Sequence, residues 1–150
     1  MADSACELPE KNASSDEIRN LLTRARTIAV VGLSPDPERD SHRVAAYLRE
    51  RGYRVIPVNP TVAEVLGEKA YPDLASVPVP IDIVDVFRKP LAIPGVVDEA
   101  IAVKAKAVWM QLGLAHNAAA EKARAAGLEV VMNKCIMAQH RGLIGSTPRD

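Results

Sequence analysis

Apolar residues in this chain come in short runs separated by helical stripes. The runs are Ile28–Val31, Arg54–Val58, Ile81–Phe87, Ala107–Met110 and Leu128–Met132. Runs without alternation suit strands covered on both faces, as in a parallel sheet. Between most of them the period changes to that of a helix. Ser14 and Glu17 stand at capping-box spacing, and Ile18, Leu21, Leu22 and Ala25 follow on one stripe. Ser41–Arg51 carries Val44, Tyr47, Leu48 and Arg51 on one side and stops at Gly52, with Ser41 as the expected N-cap. Pro94–Lys106 opens with a proline suited to a first turn. Asn117–Ala126 has Asn117 to cap it and Gly127 to close it. A further helix start is expected beside Cys135.

The segment Val62 to Pro80 is different. Gly67, Pro72, Pro78 and Pro80 interrupt it, so one short helical turn around Ala63–Leu66 and an irregular crossover are expected. Strands alternating with helices predict an α/β fold, a doubly wound Rossmann-like domain with a five-stranded parallel sheet in the order 3-2-1-4-5. The expected organisation is a disordered lead-in over 1–13, the domain over 14–145 and a frayed tail over 146–150.

Composition narrows the function. The 150 residues carry 19 basic and 19 acidic side chains. A zero net charge argues against a general nucleic-acid binder. No apolar run reaches the length of a membrane span, and the polar first residues lack the order of a signal peptide. Cys6 and Cys135 are too far apart in sequence to read as a metal cluster or a disulfide framework, and two reduced thiols point to the cytoplasm.

Ligands of open parallel sheets bind outside the carboxyl ends of the strands, where the strand order reverses. With the expected order, that crevice falls between the first and fourth strands. Gly32-Leu33-Ser34 follows the first strand: a glycine for a tight turn and a hydroxyl for phosphate or ribose. Arg39, His42 and Arg43 gather positive charge at a helix N-terminus, which is itself suited to anions. Asn59-Pro60 stands where nicotinamide enzymes carry an acid for the ribose, which counts against NAD. Phe87-Arg88-Lys89-Pro90 places an aromatic edge beside two cations, suited to adenine flanked by phosphate. Gln111 and Gly113 would face the crevice, while Trp109 reads as core. Cys135 would present a thiol near a helix start. Asp82 and Asp85, read as one face of the third strand, are a remote acid–base pair. A Cys135–His140 nucleophile lacks a third residue to orient the histidine.

Together these stretches resemble the small stand-alone CoA-binding proteins, whose domain is similar to the N-terminal part of the succinyl-CoA synthetase alpha subunit. The resemblance is carried by Val30-Val31-Gly32-Leu33-Ser34, by Gly52 through Pro60, and by Val108-Trp109-Met110-Gln111-Leu112-Gly113 with Cys135. It implies CoA or acyl-CoA lying across the strand ends. Gly32, Leu33 and Ser34 would lie under the pyrophosphate, with Ser41 and Arg43 at the helix end. Asn59, Pro60, Phe87 and Arg88 would frame the adenosine, and Gln111 and Gly113 would lie towards the pantetheine arm. A pantetheine thiol reaching Cys135 would form a mixed disulfide under oxidation. Arg39-Asp40 departs from the family's basic residue and proline before the serine matching Ser41. The synthetase's further domains have no room here, so thioester synthesis is not implied. The expected function is a non-catalytic carrier, sensor or regulatory module for this small nucleotide ligand, with no metal. Protein partners and homo-oligomers stay open. An NAD(P)-linked oxidoreductase or a Cys135 thiol enzyme is the alternative.

Overall fold

Every residue of the central run Ile28–Val31 is buried, because it is flanked by strands on both sides and by helices on both faces. The computed structural model describes residues 7–145. In chain order the elements are α1 (Ser15–Arg24), β1 (Thr27–Val31), α2 (Asp40–Glu50), β2 (Arg54–Val58), β3 (Glu64–Val65) and β4 (Glu68–Lys69), then β5 (Ile83–Val86), α3 (Ile93–Ala102), β6 (Ala107–Met110), α4 (Asn117–Ala125), β7 (Glu129–Val131) and α5 (Ile136–Leu143). Five of the strands form one parallel sheet in the order β2-β1-β5-β6-β7. The expected doubly wound, Rossmann-like α/β class and its five-stranded parallel sheet are both found.

The strand order differs in one respect. Counted among the five sheet strands it runs 2-1-3-4-5, so the third strand stands beside the first rather than outside the second. Pro57 gives the physical reason. It lies within β2 and has no N–H, which suits an outer strand and not one flanked on both sides. The outer edge of β2 is closed by Tyr71, which donates its N–H to Pro57 O at 3.0 Å and accepts the Asn59 N–H at 2.8 Å. The switch point therefore lies between the first and third strands, β1 and β5, and not between the first and fourth.

Two apolar layers cover the sheet. One packs α1, α2 and α5 over Ile28, Val30, Ile83 and Trp109. The other packs α3, α4 and Leu74 of the crossover over Ala29, Val31, Val84, Val86 and Met110. Trp109 is core as expected, and its indole N–H donates to Lys134 O at 2.8 Å.

Local signals held at some helix ends and failed at others. Ser14 caps α1: its hydroxyl accepts the Glu17 N–H at 3.1 Å, and the Glu17 carboxylate accepts the Ser14 N–H at 2.8 Å. Ser41 is not the cap of α2. The helix starts one residue earlier, Arg39 holds the cap position without a capping side chain, and Ser41 is buried in the first turn. His116, not Asn117, caps α4, with Nδ1 accepting the Ala119 N–H at 3.1 Å. Helix α3 ends at Ala102 rather than Lys106, because Lys104 takes a left-handed φ of 61°. The expected helical turn at Ala63–Leu66 is instead the β3–β4 hairpin. Leu66 and Gly67 at its tip have φ of 54° and 76°, the pattern of a tight hairpin turn.

The expected lead-in and tail fall partly outside the described residues, namely 1–6, with Cys6, and 146–150. Residues 7–13 are laid along the body. Asn117 donates its backbone N–H to the Glu7 carboxylate at 2.7 Å, and its side-chain oxygen accepts the Glu10 N–H at 2.9 Å. The Asn12 amide accepts the Met132 N–H at 2.9 Å and donates to Met132 O at 2.8 Å. That side chain imitates a strand's peptide group at the far edge of the sheet, where open N–H and C=O groups would invite another strand. We expect Asn12→Ala to cost roughly 1–2 kcal/mol, read as a lower urea midpoint at unchanged slope. An unchanged midpoint would mean that the segment contributes no stability.

Candidate functional site

Gly32 ends β1 and lets the chain turn away above the sheet. Its φ is 90°, and a Cβ there would lie 2.2 Å from the Phe87 carbonyl oxygen. Any side chain at this position meets both a left-handed backbone and a backbone collision. The carboxyl ends of β1 and β5 can approach this closely only because position 32 is empty of side chain. Phe87 still donates its N–H to Val31 O at 2.9 Å, and Gly32 donates to Val58 O at 2.9 Å.

The loop from Gly32 to α2 is wound on its own side chains. Ser34 donates its N–H to Ser41 Oγ at 3.0 Å, and Ser34 Oγ accepts the Asp36 N–H at 3.0 Å. Asp36 Oδ1 accepts the Glu38 N–H at 2.9 Å. Ser41 thus ties the first turn of α2 to the turn that follows β1. Arg43 donates to Glu38 O at 2.6 Å and pairs with Asp40. Both partners of that ion pair are more than half exposed, so the pair shapes the rim and adds little stability.

A cleft of about 900 Å³ opens between this loop, the segment after β5 and the N-terminus of α5. Of the expected site residues, Gly32, Ser34, Ser41, Arg43, Phe87, Arg88, Gln111 and Cys135 line it. Leu33, Asn59, Pro60 and Gly113 do not. Leu33 is fully buried in the core beneath α2. Asn59 braces two loops, donating to Leu33 O at 2.9 Å and accepting from the Thr61 N–H at 2.9 Å and its hydroxyl at 2.7 Å. Pro60 follows it on the outer side of β2. Gly113 donates its N–H to Asn133 Oδ1 at 2.7 Å and so joins the loops after β6 and β7. Core burial takes Leu33 out of the lining, the edge position of β2 takes Asn59 and Pro60, and an inter-loop bond takes Gly113.

The lining also holds Arg39, Lys89, Pro90, Leu114 and Met137. Arg39 and Lys89 were visible in sequence as cations at element ends. Met137 carries no such signal in the sequence. Four cations against two carboxylates, Glu38 and Asp40, leave the rim with two positive charges in excess, although the whole chain is neutral. Among the described residues, Arg39, Arg88 and Lys89 form no ion pair. The N-termini of α2 and α5 both open onto the cleft, each without a side-chain cap from its own N-cap residue. Helix N-termini with unpaired cations beside them suit a phosphate-bearing ligand. The residues present therefore fit the nucleotide end of CoA. Among the described residues no group of three or more His, Cys, Asp or Glu could hold a metal ion, and no helix is long and apolar enough to cross a membrane.

Beneath the floor lies a carboxyl. Asp85 is fully buried in β5, and one of its oxygens accepts a hydrogen bond from Gln111 Nε2. Asp82 does not accompany it. Three residues apart in a strand means opposite faces, and Asp82 instead accepts the Arg26 and Thr27 N–H groups at 2.8 and 3.0 Å at the start of β1. His140 is also buried, with Nδ1 on the Tyr47 hydroxyl at 2.8 Å, and no Cys135–His140 hydrogen bond forms among the described residues.

The match to known proteins agrees with this geometry. A family model described as a CoA binding domain matches residues 26–141. The chain belongs to that CoA-binding family. The Bacillus subtilis protein called "Uncharacterized protein YneT" is 43% identical over 130 residues, covering 87% of this chain and 96% of that protein. A hypothetical protein from Pyrococcus horikoshii OT3 is 43% identical with a TM-score of 0.87, covering 97% of this chain and all of that one. A dinucleotide-forming acetyl-coenzyme A synthetase of Ca. Korarchaeum cryptofilum is 26% identical with a TM-score of 0.64. That match covers 71% of this chain and only 26% of the synthetase. The likeness to the synthetase is a likeness to one part of it.

Burial pushes the Asp85 carboxyl up to about 7 from its ordinary 3.8, with the Gln111 hydrogen bond pulling the other way. The folded state then holds a proton that the unfolded chain releases at much lower pH. This contribution to stability is complete below about pH 4 and is lost as pH rises towards 7, roughly 4 kcal/mol across the whole window. Asp85→Asn cannot ionise. Its stability relative to the parent should therefore rise by roughly 3 kcal/mol between about pH 4.5 and pH 8, read from urea midpoints at both. Parallel pH curves for the two proteins would show that Asp85 titrates as an ordinary carboxylate.

Proposed function

We propose that this CoA-binding family member holds CoA or acyl-CoA in the cleft above β1 and β5, as a non-catalytic carrier, sensor or regulatory module of the cytoplasm. The observation that carries the reading is the local one. A neutral chain concentrates Arg39, Arg43, Arg88 and Lys89 around a glycine turn and the open N-terminus of an 11-residue helix. Cations rarely gather at the positive end of a helix dipole without an anion to hold.

In this reading the diphosphate lies over Gly32 and Ser34, close to Ser41 and Arg43. Phe87 and Arg88 meet the adenosine side, and the pantetheine arm runs along Gln111 towards Cys135. Leu33, Asn59, Pro60 and Gly113 support the loops from behind. The non-catalytic part of the reading rests on chemistry. The buried carboxyl and the buried histidine sit on separate partners, and among the described residues no base is hydrogen-bonded to the cleft's thiol. Acyl groups would lie towards Leu112, Leu114 and Met137, the apolar end of the lining. Leu112 is 71% exposed there, so such a chain would cover apolar surface now open to water.

Titration calorimetry with CoA and with acetyl-CoA tests the reading. Binding should be detectable, should weaken as salt rises, and should be about tenfold weaker in Arg88→Ala, with a shallower salt dependence. No heat and no thermal shift at millimolar CoA would end it. Turnover of an acyl-CoA by the purified protein would remove the non-catalytic part while leaving the ligand in place.

A further inference from the structure

Side chains alternate along a strand, so the residues under the cleft floor can be read from those in it. Gly32, Phe87 and Gln111 line the cleft at the ends of β1, β5 and β6. Two positions earlier, Val30, Asp85 and Trp109 stand side by side in register. Val30 and Trp109 belong to the apolar layer beneath α1, α2 and α5. One carboxyl therefore occupies a row that is otherwise hydrocarbon and indole, directly below the binding surface.

Asp85 is 0% exposed, and its Oδ2 has no hydrogen-bond partner among the described residues. Its Oδ1 accepts from Gln111 Nε2. The other end of the Gln111 amide faces α5, where Oε1 accepts the Ile136 N–H at 3.4 Å. Asp85, Gln111 and the first amide of α5 thus form a chain from the middle of the sheet to the wall of the cleft. Stability does not account for it. A valine at position 85 and a leucine at position 111 would fill the same space without burying a half-satisfied carboxyl. A buried polar group left partly unpaired is a place to look for function.

We propose that Asp85 is a positioning residue for Gln111. It holds the Gln111 amide in one of its two flips, with Nε2 down on the carboxyl and Oε1 up against α5. The second Nε2 hydrogen is then offered to a carbonyl oxygen of an amide-bearing ligand arm. Without Asp85 the amide turns, and the cleft loses a fixed donor at its floor. The ligand in this inference rests on the CoA reading above. The orientation of Gln111 in the ligand-free protein does not.

The experiment compares the parent protein with Asp85→Asn, which keeps an acceptor for Nε2, and Asp85→Val, which does not. Hydrogen exchange of the Gln111 side-chain amide is followed by NMR without ligand, and CoA affinity is followed by calorimetry at matched folded population. Slow exchange of one Gln111 amide proton is expected in the parent and in Asp85→Asn, and fast exchange in Asp85→Val. CoA affinity should stay within about threefold in Asp85→Asn and fall about tenfold in Asp85→Val. Fast exchange in the parent, or an Asp85→Val protein that binds CoA as the parent does, would overturn the inference. Should Asp85→Val not fold, exchange in the parent and Asp85→Asn decides alone. Should none of the three bind CoA, the functional reading fails, and the exchange contrast still tests the positioning.

Discussion

The close approach of two backbones at the tops of β1 and β5 is the constraint on which the rest of this molecule depends. Gly32 leaves no Cβ where the Phe87 carbonyl stands, and its positive φ sends the chain up and over instead of on along the sheet. Any bulk at that point would push the two strand ends apart or redirect the loop. The loop would then fail to bring Ser34 onto Ser41, and the first turn of α2 would not face the segment after β5. A single missing side chain therefore sets the geometry of the cleft's rim.

The cleft also depends on polar groups that the sheet holds from below. Among the described residues the buried polar side chains are Ser41, Asp85, Gln111 and His140. The first three stand around or under the cleft, and only His140 belongs to the packing between α2 and α5. The interior is otherwise apolar. Desolvation makes each buried polar group expensive unless it is bonded, so their gathering in one place marks where the fold gives up stability. The rim is arranged on the opposite principle. Its cations are exposed and add little to folding, and among the described residues Arg39, Arg88 and Lys89 form no ion pair.

Much of the architecture was legible in the sequence, because the signals are local. Apolar runs marked the parallel strands, and the Ser14–Glu17 spacing marked the first cap. Gly52 and Gly127 closed α2 and α4 where a positive φ was needed. Other features are written in the chain less plainly. Pro57, which lacks an N–H, speaks against an inner place for β2 and so against the order 3-2-1-4-5. Leu66-Gly67 between Glu64-Val65 and Glu68-Lys69 was a hairpin turn rather than a helical one. The faces of Asp82 and Asp85 followed from their spacing of three.

What the sequence determined by itself was the set of elements, the parallel sheet, the glycine turn and the chemical character of the strand ends. Each of these is fixed by neighbours within a few residues. Only the tertiary structure decided which strand ends meet, that Asn59 and Gly113 brace loops while Arg39 and Lys89 line the cleft, and that Asp85 lies under Gln111. Those relations join positions 20 or more residues apart in sequence. They follow from strand order and register, which depend on how whole elements compete to bury their apolar faces.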